Sequence, residues 1–220
     1  MARYLILGAG RFGRLALERL GAQDEDAAFL VVDQNAQALP GARGLGASQV
    51  QGVEAEAGAF LVESLKNGTA WDWLIPAIPE HVAFSWLRQG PLAGTGWEAL
   101  EVPAALATLT PVAVRGREGE LYLSRACHLC PDDCSEPRAC PVTGEPRETP
   151  LYEELAALEV PGFKTAVIPS RQLAPGVGGF PPGWLLALAQ DLASLRGKVL
   201  VATACRCHGV VHALERRSRE

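Results

Sequence analysis

A short apolar run that breaks into three closely spaced glycines constrains this chain more than any other feature. Tyr4-Leu5-Ile6-Leu7 leads directly into Gly8-Ala9-Gly10-Arg11-Phe12-Gly13. Apolar residues then recur at Phe12, Leu15, Ala16 and Leu20, close to helical spacing, with Gly21 suited to the helix end. A buried strand that turns this sharply into a helix needs glycine for distinct reasons. Gly8 permits the tight turn, Gly10 lets a phosphate approach the backbone, and Gly13 lets the helix pack closely on the strand. The helix start offers unpaired N–H groups and a partial positive charge to an anion. Phe29-Leu30-Val31-Val32 reads as a second strand and ends at Asp33, twenty residues after Gly13. A carboxylate there can accept hydrogen bonds from a ribose diol and would repel a 2′-phosphate. Gly8, Gly10, Arg11, Phe12, Gly13 and Asp33 are therefore the expected binding residues for a dinucleotide, NAD(H) rather than NADP(H). AMP or ATP would make many of the same contacts through their adenosine half, and a strand–helix turn that binds nothing is the plain structural alternative.

The alternation continues. A third strand is expected around Ser48–Val53, a helix from about Glu54 to Lys66, a fourth strand at Trp73–Ile78, and a helix from Pro79 to about Arg88. Strand–helix repetition of this kind implies right-handed crossovers. The expected fold class is α/β: a Rossmann-like, doubly wound parallel sheet over residues 1–110. Residues 111–150 would add a hairpin (Pro111–Arg115 and Glu120–Ser124 about a turn at Gly116–Gly119) and a cysteine-rich, metal-binding insert. Residues 151–220 would form C-terminal strand–helix units packing on or extending the sheet. There, helices are expected at Leu151–Leu158, Trp184–Leu195 and Gly209–Arg217, strands at Thr165–Ile168 and Lys198–Thr203, and a loop at Ser170–Gly183.

The segment Leu5-Ile6-Leu7-Gly8-Ala9-Gly10-Arg11-Phe12-Gly13, followed by Val31-Val32-Asp33, resembles the nucleotide-binding domain of bacterial potassium-uptake regulators of the TrkA-N, or RCK, type. The resemblance is specific over residues 2–33 and extends to about residue 90. It implies a nucleotide-gated regulatory role, in a dimer or larger assembly. Beyond about residue 110 that pattern is lost, and the whole chain resembles uncharacterised bacterial proteins that join this nucleotide fold to a cysteine-rich insert.

Six cysteines carry the second signal. Residues 2–9 are too short a run for a secretory leader, and no stretch of about 18 apolar residues suits a membrane span. The expected setting is cytoplasmic, where thiols serve as metal ligands or redox groups rather than disulfides. Cys127, Cys130, Cys134 and Cys140 lie within fourteen residues, among Pro131, Asp132, Asp133 and Glu136. Unliganded small hydrophobes would not sit in such polar company. Structural zinc usually takes two short Cys pairs separated by a dozen or more residues, whereas here Cys134 and Cys140 follow at once. Close packing with prolines after Cys130 and Cys140 leans toward an iron–sulfur cluster, although the spacing is not the ferredoxin run. Soft thiolates suit either metal.

Cys205-Arg206-Cys207-His208 is expected at a strand–helix junction, where a helix N-terminus would depress the thiol pKa values. These residues read as further metal ligands or a redox pair, with buried packing as the alternative. His128, like His208, adjoins a cysteine and is a candidate ligand. His81 and His212 fall on expected helices and receive no role. Gln172–Gly179 lacks the Lys and Ser/Thr of a phosphate loop, and Trp71, Trp73, Phe84 and Trp86 read as core.

A net charge of −5 gives no electrostatic reason to expect nucleic acid or an anionic membrane as partner. No acid/base pair or nucleophilic constellation stands out, so catalytic residues are unassigned. The leading expectation is an NAD(H)-binding protein with a cysteine-ligated metal centre, acting in redox sensing or electron transfer. A regulatory module with structural zinc, read by a protein partner or acting as a homodimer, is the first alternative. An NAD-dependent oxidoreductase is the second.

Overall fold

The computed structural model describes residues 1–39 and 49–217. Ser48, expected to open the third strand, lies outside them.

Four strands form a parallel sheet: β1 (Arg3–Leu7), β2 (Ala28–Asp33), β3 (Gln49–Glu54) and β4 (Trp73–Pro76), in the order β3-β2-β1-β4. Leu5 lies level with Leu30 on one side and Leu74 on the other. The runs at the heart of this sheet are apolar without interruption because both faces are covered. Tyr4, Ile6, Phe29 and Val31 face helix α1 (Arg11–Gln23), packing against Ala16, Leu17 and Leu20. Leu5, Leu7, Leu30 and Val32 face the other way, onto α2 (Ala57–Leu65) and α3 (Val82–Gln89).

The C-terminal strands do not join this sheet; they build a second one. β5 (Trp97–Leu100), the hairpin β6 (Val112–Arg115) and β7 (Leu121–Ser124), β8 (Phe163–Pro169), β11 (Gly197–Ala204) and β12 (His208–Arg216) form a mixed sheet in the order β6-β7-β12-β11-β8, with β5 also paired to β12. Only β8 and β11 run parallel. Its alternating residues separate two cores. Leu200, Ala202, Val211 and Ala213 meet helix α4 (Leu151–Ala157) on one side. Val199, Val201 and Leu214 join α2, α3 and helix α5 (Gly183–Ser194) in the core shared with the first sheet.

A small hairpin, β9 (Arg171–Ala174) and β10 (Val177–Gly179), occupies much of the expected 170–183 loop. Just after it, Phe180 lies fully buried in the shared core and exchanges backbone hydrogen bonds with Leu74, at 2.8 and 3.0 Å.

The expected helix over Gly209–Arg217 is corrected to strand β12. Val210, Val211 and Leu214 mimic helical spacing because both faces of this strand are half-covered, which blurs the two-residue period. Pairing decides the matter: β12 is matched to β11 from Gly209 through Arg216 and bonded on its other edge to β7 and β5. No helix among the described residues is long and apolar enough to cross a membrane.

Because Phe180 ties the edge of one sheet into the core shared by both, Phe180→Ala should lower the unfolding free energy by about 3–5 kcal/mol in a urea titration.

Candidate functional site

Gly8 adopts φ +104°, and a Cβ there would lie 2.7 Å from the Ala77 carbonyl oxygen. A Cβ on Gly13 would collide with the Gly8 carbonyl oxygen, so α1 presses directly on the turn that precedes it. Gly10 caps α1 and faces open space, with nothing within 4 Å of a Cβ position. Asp33 braces this loop: Ala9 N–H donates to one carboxylate oxygen at 2.7 Å, and Asn35 N–H to the other at 2.8 Å. The glycines thus divide into two that the fold requires, Gly8 and Gly13, and one, Gly10, where a side chain would meet open space. Gly13→Ala should lower the melting temperature by several degrees in calorimetry. Gly10→Ala should leave it within about 1 °C of the parent, since it adds a methyl group to open space.

The cysteine-bearing connection between β7 and α4 crosses the start of α1. Asp132 forms an ion pair with Arg11, and its carbonyl accepts from Arg19 Nη1 at 2.9 Å. The Cys134 carbonyl accepts from Gln172 Nε2 at 2.6 Å and from Gly176 N–H at 2.9 Å, fixing the segment to the β9–β10 hairpin. A cavity of about 540 Å³ lies beneath, with Arg11 and Phe12 of α1 on one wall. Cys130, Cys134, Cys140, Cys205, Cys207 and His208 line it too. Of the six cysteines, Cys127 is exposed and stands outside this lining.

Cys205–His208 is the tight turn of the β11–β12 hairpin, not the start of a helix. Cys205 N–H donates to the His208 carbonyl at 2.8 Å. The expected depression of these thiol pKa values is therefore corrected. Burial and the Glu136 carboxylate push Cys205 well up, and burial raises Cys207 although Arg147 opposes it. Cys140 behaves oppositely: the Thr143 hydroxyl and the N–H groups of Thr143 and Val142 hold its thiol below the ordinary value. Burial raises Cys130, and the neighbouring Cys134, Cys207 and Cys140 raise it further.

A local pattern recurs at Cys205 and Cys140. Cys205 Sγ accepts from the N–H groups of Cys207 (3.5 Å) and His208 (3.4 Å), two and three residues on. Cys140 receives N–H groups from the same two offsets. Such successive N–H groups form a small concavity suited to an anion. Histidines stand beside the sulfurs: His208 Nε2 lies 3.7 Å from Cys130 Sγ, its Nδ1 lies 3.8 Å from Cys205 Sγ, and His128 Nε2 lies 3.7 Å from Cys140 Sγ. Among the described residues, no three His, Cys, Asp or Glu side chains are already drawn together closely enough to hold a metal ion.

A second cluster comes from residues to which the sequence assigned nothing. His81, at the start of α3, and His212, on β12, are both buried, with Nδ1 atoms 2.8 Å apart. His81 Nε2 lies 3.0 Å from Thr203 Oγ1, and Phe84 stacks on His212 at 3.6 Å. The two histidines are separated by 131 positions, so only the position of His212 within an otherwise apolar run hinted at burial.

Burial holds His81 well below the ordinary histidine value and lowers His212 to about 4. The unfolded chain takes up protons near pH 6.5 that the folded chain refuses, so stability is full above that pH and falls as pH drops toward 4. His212 alone should cost about 2 kcal/mol between pH 7 and pH 5. Denaturant titrations at the two pH values should show that loss, and His212→Gln should remove much of it.

These features belong to an α/β protein with a family of its own. A family model for AF_1314_C, described as "Uncharacterized protein, C-terminal domain", matches residues 70–217. That span holds the second sheet, all six cysteines and the His81–His212 pair. An uncharacterised protein of Archaeoglobus fulgidus is 31% identical over 219 residues, covering 96% of this chain and 99% of its own length. The chain belongs to this family. No solved structure matches it significantly.

Proposed function

We propose that the chain binds NAD(H) on a Rossmann-like half and carries a cysteine-ligated metal centre beside it, serving redox sensing or electron transfer in the cytoplasm. The observation that carries this reading is the shared cavity. The start of α1, where a dinucleotide phosphate would sit, and five cysteines line one space. The strand order β3-β2-β1-β4 is that of one dinucleotide-binding half, with the glycine turn at the carboxyl end of β1. Gly10 leaves the approach open, and the N–H groups of α1 with Arg11 would meet the phosphates.

Cys130, Cys134, Cys140 and Cys207 would supply four thiolates once drawn closer together, and a bound cation would relieve the repulsion that the other three exert on an ionised Cys130. This set fits an iron–sulfur cluster, which would supply electron storage within reach of a nicotinamide cofactor. The chain's own contribution is to hold the sulfurs, direct N–H groups at Cys140 and Cys205, and place Arg147 against Cys207. Structural zinc is the second reading, favoured by the closeness of His208 to both Cys130 and Cys205. That centre would suit a regulatory module like the potassium-uptake regulators, read by a protein partner or a second copy of the chain.

Anaerobically purified protein should be brown, absorb near 400 nm and contain iron. Colourless protein with about one zinc per chain would replace the first centre by the second. NADH should bind at least tenfold more tightly than NADPH in fluorescence titrations, because Asp33 faces the ribose. Equal affinity for the two, or no binding of either, would remove the nucleotide assignment. Cys205→Ser with Cys207→Ser should lower metal content, and unchanged content would return both residues to packing.

A further inference from the structure

A second cavity, of about 820 Å³, opens between α3, the β6–β7 turn and β12, and is separate from the cysteine cavity. Among the described residues, Glu56, Glu80, Glu118 and Glu120 line it against Arg88 and Arg117, an excess of two negative charges. An acidic lining alone would be a solvated surface. What sets this cavity apart is His212 at its wall. Its side chain is 5% exposed, and its Nε2 has no hydrogen-bond partner among the described residues. Glu120 Oε2 lies 4.0 Å away, on a side chain only 12% exposed, and accepts from Glu118 N–H at 2.9 Å.

The gap between His212 Nε2 and Glu120 Oε2 is filled either by an Nε2–H facing the carboxylate or by a cation held between two acceptors, and the other ring nitrogen determines which. One proton serves the 2.8 Å bond between His81 Nδ1 and His212 Nδ1. If His212 donates it, His81 Nε2–H donates to Thr203 Oγ1, every bond in the row is made, and the His212 Nε2 lone pair is left aimed at the cavity. A metal-bound imidazole has this arrangement: one nitrogen on the ion, the other N–H fixed by an outer partner.

We propose that His212 Nε2 and Glu120 Oε2 bind a hydrated first-row divalent cation, of which Mn²⁺ is the probe, with His81 and Thr203 positioning the imidazole. Atoms 4.0 Å apart can both ligate one ion at about 2.1 Å from each, with an angle of roughly 145° at the ion. The remaining positions carry water, for which the cavity has room, and Glu80 and Glu118 balance the charge from beyond those waters. Imidazole with carboxylate and water suits such ions, whereas the thiol cavity suits softer ones. This inference is independent of the NAD(H) and thiolate reading.

Mn²⁺ added to the full-length protein should lose its free six-line electron paramagnetic resonance signal with a stoichiometry of one per chain. Only four histidines are present, and the ring proton resonances of His81 and His212 should broaden first. Glu120→Gln, which keeps size and polarity, should weaken binding at least tenfold. His212→Gln should do the same, and if that variant fails to fold, Glu120→Gln decides alone. Cys205→Ser with Cys207→Ser should leave Mn²⁺ binding unchanged. No binding at 1 mM Mn²⁺, or undiminished binding by Glu120→Gln, overturns the proposal. So does loss of binding in the cysteine variant, which would assign the ion to the thiol cavity instead.

Discussion

The contact of Gly13 with the Gly8 carbonyl sets the position of everything that matters chemically at the N-terminal half. With no side chain at residue 13, α1 lies directly on the turn that follows β1. Its axis, and hence its unpaired N–H groups, is thereby aimed past Gly10 at one particular space. The cysteine-bearing connection spans that space and is fastened to the same helix through Arg11 and Arg19. A helix that stood even 1 Å further from β1 would shift the ends of both arginines and loosen the roof of the cavity. The glycine pair and the cysteine segment are therefore parts of one construction, despite the hundred residues between them.

Asp33 illustrates how the same atom can answer to two demands. Its carboxylate receives the N–H groups of Ala9 and Asn35, so it stabilises the loop before any ligand arrives. A carboxylate oxygen has two lone pairs, so these bonds leave acceptor capacity for a ribose hydroxyl. The glycine loop is held in shape by the group that, under the proposed NAD(H) reading, would meet the sugar, and such preorganisation would lower the ordering cost of binding.

The N-terminal elements were legible in the sequence because each is local: the buried apolar runs of β1, β2 and β4, a glycine turn and a helix whose periods are undisturbed; the partly exposed edge strand β3 gave a weaker signal. β12 was not, because its identity rests on partners far away in sequence. Only the central Val211-His212-Ala213-Leu214 is buried on both faces, which erases alternation there, and pairing with β11, β7 and β5 makes the run a strand. That one misassignment also placed Cys205 and Cys207 at a helix start and reversed the expected direction of their thiol shifts. The closeness of Cys130, Cys134 and Cys140 was expected from their spacing and polar surroundings, whereas the sequence left open whether Cys205 and Cys207 share their space. The exclusion of Cys127 and the pairing of His81 with His212 depend on tertiary placement that no spacing rule encodes.

β12 gives the molecule an unexpected unity. His208 opens it beside the sulfurs of Cys130 and Cys205, and His212 lies four residues further on, against His81 and Glu120. Side chains four residues apart on a strand leave the same face, here roughly 13 Å apart. The strand is bonded on both edges and cannot slide by one residue without turning both imidazoles to the opposite face. The register that sets the thiol turn also sets the buried imidazole pair. Two chemically different pockets are in this sense held to one ruler, and the ruler is the eight-pair ladder between β11 and β12.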